Sequence, residues 1–444
     1  MSRILALCAV LLLPALDPAT AFGRCAGFNA STLDIGDVPK ARWRTDYPAS
    51  VGTVSRPWQG IDFRTEPQRY LLAVLDTLKP HFKRDGRKLV GTTGEDWWIS
   101  LWLDYTTSGR EPFMGLTKER GPDKGDLSPT NLAGHQVWAV GFYNAPGATI
   151  LGKVFADPCN PQLPASVNFP EGTVSAKFLF TDAPADEVTY LRDAPEYDAN
   201  IDRAGSGNQT RPVAERQKRA VRLLQVDISV KASGALETGW LFGTFGWVGP
   251  AKGDGLYDNL VPVTLQWGND PGVVTTAIVQ SWVNPDLRNV THGWDKRPTL
   301  GFNGRSNGAA DNIRSSCLSC HAAARTPRSP KGLLGSRFDM ESDITDADKV
   351  RAHVDAWFGN LKGGDLFDPT EPAVSALDYS LQLEAAMFRM CRACQNGDLT
   401  GPTPGICRAT KFFDQPSCHT APTPLDAAAR VSRQQLEDEP PPRQ

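Results

Sequence analysis

The sequence predicts an α+β protein built on an antiparallel β-sheet, with its helices gathered toward the two ends of the chain. Three observations predict it. Between Gln136 and Val283 the chain is a series of short apolar runs bounded by Gly, Pro or Asp, the pattern of strands joined by turns. Within that stretch Thr173 to Phe180 alternates strictly, with Val174, Ala176, Phe178 and Phe180 on one face and Thr173, Ser175, Lys177 and Leu179 on the other. Helical periodicity shows instead at Glu66 to Phe82, Thr345 to Phe358 and Leu377 to Cys394.

In chain order, the first element is a processing signal. Met1-Ser2-Arg3 is a short positive start, Ile4 to Leu13 is apolar, and Ala19-Thr20-Ala21 offers small residues for cleavage. Residues 1–21 therefore read as a secretory signal peptide, with the periplasm as destination. The apolar run is too short to span a bilayer and no later run is longer, so no transmembrane segment is expected. Residues 22–134 form an N-terminal helical and irregular region, where Trp97, Trp98 and Trp102 read as core. Residues 135–325 form the β-rich domain. Its first strand, Gln136 to Tyr143, ends in the turn Asn144-Ala145-Pro146-Gly147. Leu223 to Val230, Gly239 to Val248 and Val261 to Trp267 follow as strands, in a sheet with one packed face. Asp198 to Lys218 reads as a surface excursion and the basic stretch Arg325 to Arg337 as a solvated loop. Residues 326–421 form a helical C-terminal extension, and 422–444 a Pro- and charge-rich disordered tail.

A formal charge of −3 gives no field that seeks polyanions, so nucleic acid is excluded as a partner. Export makes disulfides the default for cysteine. Cys25, Cys159, Cys391, Cys394, Cys407 and Cys418 are an even set with no pairing fixed by sequence. Cys391-Arg392-Ala393-Cys394 lacks a following histidine; with Cys407 and Cys418 it suits two disulfides or, less well in this compartment, a four-thiolate zinc site.

Cys317-Leu318-Ser319-Cys320-His321 is the most specific signal in the chain. Two thiols at this spacing reach both vinyl groups of one porphyrin, and the next residue places an imidazole under the iron. With 9 cysteines and 6 histidines among 444 residues, roughly 0.002 accidental matches are expected. The motif predicts one covalently bound haem c, attached at Cys317 and Cys320 with His321 as axial ligand. A sixth ligand makes an electron carrier, and an open position admits small molecules. Met340, His353, Met387, Met390 and His419 are the downstream candidates. Met387 and Met390 lie on a helix apolar on more than one side, where methionine ordinarily packs.

Several segments resemble one family in their order along the chain. They are Val140 to Pro146, Phe169 to Lys177, Val226 to Lys231, and Glu237-Thr238-Gly239-Trp240 running into Leu241 to Phe245, closed by the haem motif. This middle region resembles the β-rich haem proteins that include cytochrome c′-beta and the lysine-cross-linked cytochromes that oxidise hydroxylamine. The resemblance implies a two-layer sheet with haem against one face and an iron open opposite His321. It also implies a porphyrin cross-link at Lys177 and a proton-transferring acid at Glu237. The long N-terminal region and C-terminal extension depart from these small proteins. The leading expectation is small-molecule redox chemistry or binding (nitric oxide, hydroxylamine or peroxide), with a redox partner protein. The alternative is a six-coordinate electron carrier with Met387 or Met390 on the iron.

Overall fold

The computed structural model describes residues 45–85, 88–91, 97–101, 111, 113–122, 124–129, 135–156, 161, 163–164, 166–201, 217–250, 252–253, 255–287, 300–326, 346–367 and 375–396. The signal peptide, Cys25, Cys159, Met340, Cys407, Cys418, His419 and the tail fall outside the described residues, as do the side chains of Met390, Cys391 and Cys394.

Helix α1 (Pro67–Asp76) carries its proline in the first turn, where an N–H has no partner to lose. It buries Tyr70, Leu71, Val74 and Leu75. The periodicity predicted a helix to Phe82, but Pro80 cannot donate to the Asp76 carbonyl. The chain turns there, and Phe82 opens strand β1 (Phe82–Asp85), paired with β2 (Lys88–Gly91).

Strands β3 (Trp97–Ile99) and β4 (Thr117–Lys118) both pair with β5 (Val137–Asn144). The central sheet thus draws strands from ahead of residue 135, and Trp97 and Trp98 are buried in it. The turn expected at Asn144 to Gly147 is instead the start of helix α2 (Ala145–Val154), capped by the Asn144 side chain, which accepts from the Gly147 amide. Asn followed by Pro suits a turn or a helix start equally. The buried residues Ala148, Thr149, Ile150, Leu151 and Val154 decide between them.

Strands β6 (Val174–Thr181), β7 (Glu196–Ile201), β8 (Gln217–Lys231), β9 (Trp240–Trp247), β10 (Leu260–Gln266) and β11 (Ser281–Val283) complete one nine-stranded sheet. Its order is β11-β10-β9-β8-β6-β5-β3, with β4 also on β5 and β7 also on β8. Every pairing is antiparallel. The β7–β8 pairing makes the flanks of the expected surface excursion strands, since Tyr197, Ala199 and Ile201 are buried.

The helix α3 (Cys317–Ala322), strand β12 (Arg325–Thr326), helix α4 (Ala347–Trp357), strand β13 (Ser375–Ala376) and helix α5 (Leu381–Asn396) follow. Arg325 is buried in β12, paired with β13, rather than solvated. Among the described residues no helix is long and apolar enough to cross a membrane.

The protein is α+β, with its sheet antiparallel throughout. One expectation about the sheet is corrected: it is packed on both faces rather than one. Val140, Phe142, Ala176, Phe178, Val226, Ile228 and Phe245 face α1 in a first core. Tyr143 and Phe242, from the alternate positions, join Leu318, Val354, Trp357, Leu383 and Met387 in a second. The C-terminal extension supplies much of that second cover, and it makes a functional face possible there.

Candidate functional site

The second face of the sheet carries two cross-strand rows. One runs Gly141, Lys177, Asp227, Thr244, Thr264; the next runs Tyr143, Ser175, Ser229, Phe242, Gln266. Such polar rows inside a sheet are costly unless each group is satisfied. Here many are satisfied by α3 and its lead-in. The Gln266 amide oxygen accepts from the Leu318 amide at 3.2 Å. Thr264 and Ser306 share a hydroxyl hydrogen bond, and the Cys317 amide donates to the Ser306 carbonyl at 3.0 Å.

The motif itself forms a single capped turn of helix. Ser316 accepts from the Ser319 amide at 3.1 Å while the Ser319 hydroxyl accepts from the Ser316 amide at 2.9 Å. This reciprocal cap fixes where the helix begins, and hence the facing of Cys317, Cys320 and His321. Upstream, the buried Arg305 guanidinium donates to the carbonyls of Asn269, Asp270, Val273 and Phe302 at 2.7–3.2 Å. It ties the loop after β10 to the segment leading into the motif. Leu318 is fully buried and anchors the turn, whereas Cys317, Cys320 and His321 keep part of their surface open.

His321 lies on the Phe242 ring, with centroids 4.6 Å apart. Its Nδ1 is 2.9 Å from the Tyr379 carbonyl oxygen, so Nδ1 carries the proton and donates. Nε2 is then the lone-pair nitrogen, the form a metal ligand needs. Burial lowers the imidazole to about 4, so it is neutral at neutral pH. Burial also pushes Cys320 up to about 12 and Cys317 well above an ordinary thiol. This setting opposes the thiolate that a zinc site or a reactive dithiol needs and suits neutral sulfur. Both thiols are free, with no disulfide between them.

Lys177 stands on the same face. The alternation sets it on the polar face of the strand, where a lysine is ordinarily solvated. Its ammonium is instead 3.0 Å from the Glu119 carboxylate, with only 30% of the side chain exposed. Burial pulls its pKa down, but Glu119, Asp311 and Asp227 outweigh that and hold it charged. Asp227, its cross-strand neighbour, accepts from Gln225 and from the Thr244 hydroxyl at 2.8 Å. Burial and then the Asp311 charge raise its carboxyl to about 7, against the pull of Lys177. Asp311 arrives on the loop before the motif, where its carboxylate accepts from the Gly308 amide at 2.9 Å. At the far end of the row, Gln382 from α5 lies over Gly141 so closely that a Cβ there would be 1.9 Å from its amide nitrogen.

The structure thus gathers Lys177, Cys317, Cys320 and His321 on one face. Glu237 is held elsewhere. It sits in the β8–β9 turn, ion-paired at 3.0 Å with Arg64, whose guanidinium lies over Phe63 of the first core. Met387 is buried in the second core, the cluster against which Cys317 and Cys320 pack. His353 is a core histidine, donating from Nε2 to the Arg314 carbonyl at 2.9 Å and meeting Phe302 and Phe358 edge to face.

Sequence reasoning missed Asp227, Asp311, Glu119 and the Tyr379 carbonyl. Only Asp227 left a usable sign, a carboxylate at the polar phase of an otherwise apolar strand. Compared with protein-family models, with curated proteins and with solved structures, the chain gives no significant match.

Proposed function

We propose that the chain is an exported, periplasmic c-type cytochrome that holds one haem through thioethers at Cys317 and Cys320, with His321 as axial ligand. The observation that carries the reading is the His321 imidazole, fixed by the Tyr379 carbonyl so that Nε2 is left as the ligand nitrogen. The two free, partly open thiols on the same turn fit the attachment. Bound there, haem supplies one-electron chemistry and, with a position free on the iron, coordination of a small molecule.

The chain's own residues supply the rest. The capped turn sets the spacing of the two sulfurs and the imidazole. Phe242 and the second core exclude water from the side on which His321 packs. Asp227 offers a proton-holding group on the polar row, the kind of group a proton-coupled oxidation uses. The substrates proposed are nitric oxide, hydroxylamine or peroxide, with a redox partner protein to exchange electrons. Membership in the cytochrome c′-beta group belongs to the same proposal, as does a porphyrin bond at Lys177. A haem-linked peptide containing Lys177 after proteolysis is the result expected of that bond.

A second reading, a six-coordinate electron carrier, is favoured by Met387 lying in the cluster that packs against Cys317 and Cys320. Optical spectra of the ferric and ferrous protein, with and without nitric oxide, separate the two. A high-spin spectrum that shifts with nitric oxide supports the open iron. A low-spin spectrum with a methionine-to-iron charge-transfer band, indifferent to nitric oxide, supports the carrier.

A further inference from the structure

The turn that supplies the Tyr379 carbonyl is unusual. Asp378 and Tyr379 are consecutive residues with φ of 46° and 67°. Residues with a side chain rarely adopt this left-handed region, because the Cβ crowds the carbonyl oxygen. A turn like this persists only when its surroundings hold it. Asp378 is where they do so. Its carboxylate, fully buried, accepts from the Phe169 amide at 2.7 Å, the Trp240 indole Nε1 at 2.8 Å and the Lys231 ammonium at 2.7 and 2.9 Å.

These three donors come from three places: the loop before β6, the start of β9 and the end of β8. Gly363 closes over the group, since a Cβ at 363 would be 1.8 Å from the Asp378 carboxylate and 2.7 Å from Lys231 Nζ. Around the turn, the Tyr379 hydroxyl donates to the Leu361 carbonyl at 2.6 Å and Ser380 hydrogen-bonds the Tyr143 hydroxyl at 2.9 Å. The Leu377 amide donates to the Ala324 carbonyl, three residues past His321. The turn that carries the carbonyl facing His321 is therefore held from both sides, with Asp378 beside that carbonyl's residue.

We propose that Asp378 is a positioning residue for His321: its carboxylate locks the Asp378–Tyr379 turn, which aims the Tyr379 carbonyl at Nδ1 and so fixes the orientation and donor strength of the imidazole. This rests on the haem reading above and extends it. A hydrogen bond to the far nitrogen makes an imidazole a stronger donor to a metal and tunes its redox balance. Asp378 and Tyr379 lie in the C-terminal extension, whereas the donors that hold the carboxylate, Phe169, Lys231 and Trp240, lie in the segments that resemble the small haem proteins.

The test uses the mature holoprotein and three variants. Asp378→Asn removes the charge and replaces one of the two acceptor oxygens with an amide donor. Trp240→Phe removes one hydrogen bond and keeps a ring. Glu111→Gln is the control, a buried carboxylate elsewhere whose oxygens accept from the amides of Phe113, Met114 and Asn200 at 2.6–2.8 Å. The readouts are the haem midpoint potential and the ferrous iron–histidine stretching frequency. Asp378→Asn should raise the potential and lower the frequency, with Trp240→Phe moving both the same way by less. Glu111→Gln should lower the melting temperature and move neither. The proposal is overturned if Asp378→Asn or, should that variant not fold, Trp240→Phe matches the wild type in both, or if Glu111→Gln moves them equally. A wild type that carries no attached haem overturns the haem reading itself, whereas an unmoved potential in a haem-bearing variant overturns only the role of Asp378.

Discussion

The two faces of the central sheet are made by the same strands and have opposite chemistry. On the face toward α1, β5, β6, β8 and β9 present Val140, Phe142, Ala176, Phe178, Val226, Ile228, Leu241 and Phe245, all buried in one apolar core. On the other, the residues between them are Gly141, Tyr143, Ser175, Lys177, Asp227, Ser229, Phe242 and Thr244, six of the eight polar or glycine. Both faces are covered, so burial does not distinguish them. What differs is what the cover demands: the first asks only for volume, and the second must satisfy charges and hydroxyls one by one. A protein that needed only a core would not retain Lys177 and Asp227 side by side beneath a second layer. The difference is what makes the second face the candidate site.

Substitutions can break or sharpen that contrast. The largest effect is expected from Phe178→Ala, at a fully buried position among Phe82 and Phe142. It should cost about 3–5 kcal/mol in urea unfolding while leaving the haem spectrum of the folded protein unchanged. An altered spectrum at full occupancy would mean that the two faces are not separable.

Asp227→Asn should act mainly through pH. The native carboxyl is raised to about 7, so the folded state holds a proton that the unfolded chain gives up nearer 4. This contribution to stability is fully present below pH ~4 and is lost as pH rises toward 7. Wild type should therefore lose stability across that window, and Asp227→Asn should flatten the slope. Unfolding curves at pH 4.5, 5.5 and 6.5, with parallel slopes in the two proteins, would count against the assignment.

Gly141→Ala comes next. The added methyl meets the Gln382 amide, a flexible side chain that can swing away, so the cost should stay within about 1–2 kcal/mol. The spectrum should shift slightly if Gln382 borders the haem and stay put if it does not. The smallest effect is expected from Glu237→Gln. Its partner Arg64 is 37% exposed, and such surface pairs contribute about 0–1 kcal/mol. The optical spectrum and any turnover should match wild type, and a large loss of turnover would restore Glu237 as an acid of the site.

How much of this was legible follows from where each feature gets its energy. The alternation of Val174 to Phe180 made β6 readable, because the apolar face sees one continuous core. Cys317 to His321 stands out in the sequence because haem attachment, if this is its role, needs fixed residue types at fixed spacing. Helix α2 was misread because Asn144-Ala145-Pro146-Gly147 serves a turn and a helix start alike, and only packing separates them. Strand β3 is three residues long and buried throughout, too short to show a period. The partner of His321 could not be read at all. It is a backbone carbonyl 58 residues away, held by a carboxylate whose own donors lie 138 to 209 residues from it, and backbone atoms leave no mark in a sequence. Lys177 was placed on the right face by alternation, yet its pairing with Glu119 depends on a loop that no local pattern announces.

The claim on which the rest depends is covalent haem at Cys317 and Cys320. The most direct measurement is the intact mass and pyridine haemochrome spectrum of the mature protein, made in cells with the c-type maturation system, beside the Cys317→Ala/Cys320→Ala double variant. The account predicts one haem per chain that survives denaturation in the wild type and none in the double variant. A wild-type mass equal to the bare polypeptide, or a haem retained covalently without either cysteine, would contradict it.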